Sequence, residues 1–352
     1  MSDVGSIGDD RALVALRTTL ARERRLLEPR GPHGEWREVA GTEPFEWVPR
    51  PASMKPFFFP PRETLLRWDG DAIEETPSDP TPFALFGARP CDVTALAYQD
   101  RFFNADPAYR RRRARALVIA VNCATRCDGG FCRDVGAGPF AHGSCDIVVT
   151  RLHAGRLVLA SYSDDGATLL HRAGLTPAHL DPDTRTALVV AEATAEATFP
   201  SRPFIARARA RIDARERRVA GDAPAAATPI ADAEWQRLGP ACFACTGCTN
   251  VCPTCSCFTI VDEPTESGTA LRGERVRYWD SCLLEGFQRE ASGHHPAPRP
   301  SDRVRRFWSH KLSLNFADDG GRIGCVGCGR CDVVCPGEIG ALSVLRALGG
   351  TP

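Results

Sequence analysis

Sixteen cysteines stand in a chain of 352 residues, and eight of them form two runs of one spacing. The first reads Cys242-x2-Cys245-x2-Cys248-x3-Cys252-Pro253, the second Cys325-x2-Cys328-x2-Cys331-x3-Cys335-Pro336. A cubane [4Fe–4S] cluster needs soft thiolate ligands, and it takes four of them. Two residues between cysteines let three thiolates converge from one tight loop. The fourth, three residues further on and followed by proline, ligates the other cluster where two clusters are paired. The spacing therefore predicts two [4Fe–4S] clusters held crosswise: Cys242, Cys245, Cys248 and Cys335 on the first, and Cys325, Cys328, Cys331 and Cys252 on the second. Gly247, Gly327 and Gly329 are expected to bring backbone N–H groups to the cluster sulfides through positive φ. Zinc also uses Cys-x2-Cys, but as two separated pairs. Four cysteines spaced 2-2-3 before a proline favour iron–sulfur.

The rest of the chain must position these runs. Its length suggests two domains. A hydrophobic fraction of 43 % and a charged fraction of 25 % are ordinary for a globular protein. The formal net charge is zero, which points to neither nucleic acid nor an anionic membrane surface. Arginine dominates the basic residues, with Lys55 and Lys311 the only lysines, and this reads as genome composition. The first thirty residues carry Asp9, Asp10, Arg11, Arg17, Glu23 and Arg24 without a signal-like apolar stretch. The longest apolar run, 116–121, is too short to span a membrane. A cytoplasmic protein is expected, in which thiols persist and clusters are assembled.

Leu13, Leu16, Leu20 and Leu27 form a stripe that predicts a helix over 10–28, ended by Pro29. Lys55-Pro-Phe-Phe-Phe-Pro-Pro61 predicts an extended strand or a packed loop. Residues 82–88 and 116–121 read as buried strands around a helix at 92–103, a βαβ element, and 147–152 with 156–161 as a hairpin. Residues 222–228 read as a linker, placing a boundary near 225. Between the two cysteine runs, 280–292 and 303–315 look helical. Compact ferredoxins set their runs closer together, so these inserts favour the α-helical dicluster form. The expected fold is α+β: an N-terminal α/β domain over 1–225, then an α-helical dicluster ferredoxin-like domain over 226–352.

Eight cysteines remain. Cys255, Cys257 and Cys282 follow the first run and are either extra cluster ligands or buried thiols acting as small hydrophobes, the second reading being preferred. Cys91, Cys123, Cys127, Cys132 and Cys145 lie in the N-terminal part. Cys123-x3-Cys127-x4-Cys132 is too irregular to specify a metal. Cys91 is expected at a helix N-terminus, a place that lowers a thiol pKa. The loop 129–139 is glycine-rich, but it lacks both nucleotide-binding signatures and reads as a tight turn. No nucleophilic or paired-carboxylate constellation is legible, so no catalytic residue is expected.

Several segments together resemble a known family. They are Lys55-Pro-Phe-Phe-Phe-Pro60, Phe86-Gly-Ala-Arg-Pro-Cys-Asp92, Asn122-Cys123, Phe131-Cys132 with Gly136-Ala-Gly-Pro139, Cys252-Pro-Thr-Cys-Ser-Cys257, Trp279-Asp-Ser-Cys282, His310-Lys311 and Cys325-Val-Gly-Cys-Gly-Arg-Cys331. In order, over nearly the whole chain, they are similar to the iron–sulfur β subunit of cytoplasmic NAD(P)-linked [NiFe] hydrogenases (sulfhydrogenases). One component of anaerobic sulfite reductase shares that family. The resemblance implies a non-catalytic relay subunit. Its partners would be a catalytic metal subunit and a flavin- and NAD(P)-binding subunit. Two other readings are a self-contained iron–sulfur reductase and the corresponding component of a sulfite reductase. The Cys-Cys-Gly motif of heterodisulfide reductases is absent, which weakens the first of these two.

Two clusters correspond to about eight iron atoms per chain, which elemental analysis of anaerobically purified protein should return. A value near twelve would bring Cys255, Cys257 and Cys282 in as ligands.

Overall fold

The computed structural model describes residues 3–76, 79, 81–200, 202–220, 227–265, 272–318 and 320–350. It is a mixed structure of helix and sheet, as expected for α+β. An eight-stranded sheet runs β10 (Ala178–His179), β1 (Val4–Gly8), β9 (Leu157–Ser161), β8 (Ile147–Arg151), β7 (Ala116–Val121), β6 (Phe83–Ala88), β2 (Arg25–Arg30), β3 (Glu35–Glu38). Its centre, β2-β6-β7-β8, is parallel, and the flanking strands pair antiparallel. Parallel strands are covered on both faces and read as continuous apolar runs; every residue of β7 is buried. The helix Pro90–Phe102 lies between β6 and β7, the βαβ element expected, and β8–β9 is the expected hairpin.

The first helix runs only from Asp10 to Glu23, with Asp9 capping it through Arg11 and Ala12 N–H. The expected continuation to Pro29 is instead β2. Leu26 and Leu27 are buried there beside β6, and Pro29 sits opposite Trp36. The apparent stripe ran on into Leu27 because a seven-residue step suits a helix while a doubly buried strand imposes no alternation. Arg17 of the helix and Glu28 of β2 are fully buried and form a two-pronged ion pair at 2.5 and 2.8 Å. Lys55–Phe58 is one turn of helix, not an extended strand, with Pro56 in the first turn where its missing N–H costs nothing.

A second sheet was not legible in the sequence. It is antiparallel, ordered β11 (Phe258–Pro264), β12 (Arg272–Trp279), β4 (Arg62–Asp69), β5 (Ala72–Glu75). It joins strands from either side of residue 225. Its faces are laced by ion pairs such as Arg275–Asp262 and Arg272–Asp69, both at 2.7 Å, so the strands carry charge in place of apolar alternation. Arg277 of β12 is buried, pairs with Glu63 and Asp106, and lies over the rings of Phe59, Phe103 and Phe258. It pins this sheet to the first.

Most of the linker 222–228, with the boundary near 225, lies outside the described residues. Helices Pro203–Ala220, Pro300–Leu312 and Ala341–Gly349 enclose a core of Phe204, Ile212, Trp235, Phe307, Trp308 and Leu345. The helix expected over 303–315 is thus present. That over 280–292 is not: the segment is turns with one short 3-10 stretch, Gly286–Gln288. The insert between the runs is therefore a β-hairpin and one long helix. Among the described residues no helix is long and apolar enough to cross a membrane.

Candidate iron–sulfur centres

The two cysteine runs fold alike. Each begins extended, turns through two left-handed residues, enters a one-turn helix and leaves it at the fourth cysteine. In the first run the left-handed residues are Ala244 (φ 51°) and Thr246 (φ 61°), and the helix is Gly247–Val251. In the second they are Gly327 (φ 63°) and Gly329 (φ 72°), and the helix is Arg330–Val334. Gly327 and Gly329 meet the expectation. Gly247 does not, because it is helical, and two non-glycine residues take the left-handed turns in its place. Such strain persists only where surrounding structure imposes it. The two short helices pack against each other and bring the runs together.

Cys242, Cys245, Cys248 and Cys335 line one cavity, walled by Phe243, Phe307 and Trp308 among others. Cys252, Cys325, Cys328 and Cys331 line a second, with Phe131, Lys311 and Arg330. Cys248, Phe307 and Trp308 border both. The first cavity thus collects three cysteines of the first run and the fourth of the second; the second collects three of the second run with the fourth of the first, and Cys248 besides. Val304, Phe307, Trp308 and Lys311, one face of the helix Pro300–Leu312, build the wall. Cys245 is exposed, as is Phe243 of the same cavity at 69 %, whereas Cys328 is buried. The donor set fits an iron–sulfur cube. All eight candidate donor atoms are soft sulfurs, and backbone N–H groups already point at three of them: Gly327 at Cys325 (3.4 Å), Ile339 at Cys335 (3.4 Å) and Ala341 at Cys331 (3.3 Å). Among the described residues no His, Cys, Asp or Glu trio closes tightly enough for a single ion; a cube is larger than an ion and spreads its ligands. Burial pushes the Cys248 and Cys325 thiols up to about 12, so loading these sites releases protons.

The second run is seated on the N-terminal part. Phe131 N–H donates to the Gly327 carbonyl at 2.7 Å. A methyl group on Gly327 would lie 2.6 Å from the Phe131 carbonyl carbon, and one on Gly329 would lie 2.8 Å from the Gly129 oxygen. The glycine-rich loop 129–139 is thus the seat of the second cysteine run. Arg330, within that run, pairs at 2.6 Å with Asp92, and both are buried. Arg330 also donates to the Pro51 carbonyl, and Asp92 accepts from Arg89 N–H. The Arg-Pro-Cys-Asp segment therefore anchors the Cys-Gly-Arg-Cys segment.

Cys255, Cys257 and Cys282 line neither cavity. Cys255 and Cys282 are buried in the same core, with Cys257 packed against it. Cys257 shares a hydrogen bond with Cys282, which pulls Cys257 below its ordinary value and raises Cys282. Cys91 does stand in the first turn of its helix, but burial pushes its thiol well up rather than down. Burial likewise raises Cys132 and Cys145 to about 12 and Cys123 to about 11. Cys132 packs beside Cys328 and Cys91.

Sequence reasoning missed Lys55 and Lys311. Both are buried to 5 % exposure. Lys311 Nζ donates to Thr254 Oγ1 at 2.9 Å, and that hydroxyl lies 3.2 Å from Cys252 Sγ. Lys55 Nζ donates to the Thr249 carbonyl at 2.9 Å and sits 3.6 Å over the Trp279 ring. Their scarcity was the available signal: two lysines in an arginine-rich chain, both inside the segments that carry the family resemblance.

Residues 241–339 match the family model of a 4Fe-4S dicluster domain. The chain is also 29 % identical, over 294 residues, to the protein named Sulfhydrogenase 2 subunit beta of Pyrococcus furiosus, covering 83 % of this chain and 81 % of that one. The expected resemblance to iron–sulfur β subunits of hydrogenases is thus found, and it extends well beyond the cysteine runs.

Gly329→Ala forces a methyl group onto Gly129 and holds alanine in the left-handed region, which alone costs about 1–2 kcal/mol. The variant should unfold at lower temperature and lose iron from the second site. An unchanged midpoint with full iron would refute the seating role.

Proposed function

We propose that this homologue of a hydrogenase β subunit relays electrons through two [4Fe–4S] clusters. One end of the relay is a flavin- and NAD(P)-binding subunit, the other a catalytic [NiFe] subunit, in the cytoplasm. Its N-terminal α/β part, 1–225, carries the dicluster module of 226–352. The observation that carries the reading is the crossed grouping of cysteines, with Cys335 in the cavity of the first run and Cys252 in that of the second.

Each cluster, when bound, supplies one-electron chemistry. The protein does the rest. The eight thiolates fix the two positions. Backbone N–H groups of Gly327, Ile339 and Ala341 donate to the sulfurs and tune their charge. Phe307 and Trp308, bordering both cavities, keep water from the space between them. Exposed Cys245 puts the first site at the surface, where a partner can exchange electrons with it. The second site is interior, between the cysteine module and the loop 129–139. The name of the Pyrococcus relative supports a hydrogenase as the complex.

Cys335→Ser should perturb the spectrum of the first cluster and Cys331→Ser that of the second, read by EPR of the reduced protein. Both substitutions altering the same cluster would refute the crossed ligation.

A further inference from the structure

Two ammonium groups are buried beside the second site, and neither has a carboxylate. Among the described residues no Asp or Glu oxygen lies within ion-pair distance of Lys55 or Lys311; the nearby Asp92 carboxylate is taken by Arg330. Their partners are neutral: the Thr249 carbonyl and the Trp279 ring for Lys55, the Thr254 hydroxyl for Lys311. Both ammonium groups bind the backbone and hydroxyl groups next to Cys252: Lys55 at Thr249, three residues before it, and Lys311 at Thr254, two residues after it. A buried charge without a counter-charge is strongly destabilising, and a second one of like sign adds repulsion. An anion at the second site would hold both lysines in their charged form.

We propose, on the two-cluster reading, that Lys55 and Lys311 are the counter-charges of the second cluster and hold its reduction potential up. A four-iron cube with four thiolates is anionic in both oxidation states and gains one more negative charge on reduction. A fixed cation nearby favours the reduced form, the more so where protein excludes water. Lys311 borders the cavity of Cys252, Cys325, Cys328 and Cys331, one hydroxyl away from Cys252 Sγ. Lys55 binds the turn between Cys248 and Cys252. The first cavity is lined by no charged side chain, whereas Lys311 lines the second, so the pair acts chiefly on the second cluster. Arginine could not stand in for Lys55 without loss, because a compact ammonium fits the face of Trp279 and the single Thr249 carbonyl at once.

The test is potentiometric EPR on the full chain, with iron content measured alongside. Lys311→Met and Lys55→Met should each lower the midpoint potential of the second cluster and leave that of the first unchanged, with iron retained. Lys311→Arg should restore much of the shift. Should the methionine variants lose iron, recovery of iron in Lys311→Arg supports the counter-charge. Equal loss in the methionine and arginine variants refutes it, since that shows a packing role. Retained iron with an unmoved second potential also refutes it. A wild-type protein that shows only one cluster signal contradicts the two-cluster reading itself, a separate outcome.

Discussion

A cubane cluster takes four thiolates, and one tight turn of chain offers three. The fourth must arrive from elsewhere, and on the proposed ligation each run lends it to the other through Cys252 and Cys335. The two runs must then be held at one fixed separation. That demand explains why their one-turn helices pack together and why the helix Pro300–Leu312 turns one face, from Val304 to Lys311, toward both cavities. It also explains left-handed Ala244 and Thr246, which copy in strained form what Gly327 and Gly329 adopt freely.

The second run carries a further constraint. Its backbone lies directly on residues 129–131, too close for a side chain at Gly327 or Gly329. Arg330 is fixed by Asp92 at the head of the first βαβ helix. The parallel sheet thus places the interior site, and the antiparallel sheet, pinned by Arg277, presents Trp279 to Lys55. Interior and surface sites differ in what surrounds them: apolar walls with an exposed cysteine at one, buried lysines at the other.

Much of this was legible in the sequence, for physical reasons that can be named. The strands β6 and β7 are buried on both faces, so they read as bare apolar runs, and β8 and β9 read as a hairpin around the turn at 153–155. The cysteine spacing reads directly because the geometry of a cube dictates it. What stayed hidden was hidden by charge and by distance. Strands β11 and β12 are held by cross-strand ion pairs and show no apolar alternation. The stripe of the first helix ran into Leu27, and only pairing with β6 shows that Leu27 belongs to a strand. The loop 129–139 looked like a turn because its partner, the second cysteine run, is remote in the chain. Lys55 and Lys311 read as a compositional accident, and only their burial gives them a role.

EPR spectroscopy of the fully reduced protein tests the central claim most directly. Two clusters sharing the Cys248–Phe307–Trp308 wall should give two unpaired spins per chain, with signals split and broadened by their mutual coupling. A single spin per chain, or two signals that show no coupling, would contradict the paired arrangement.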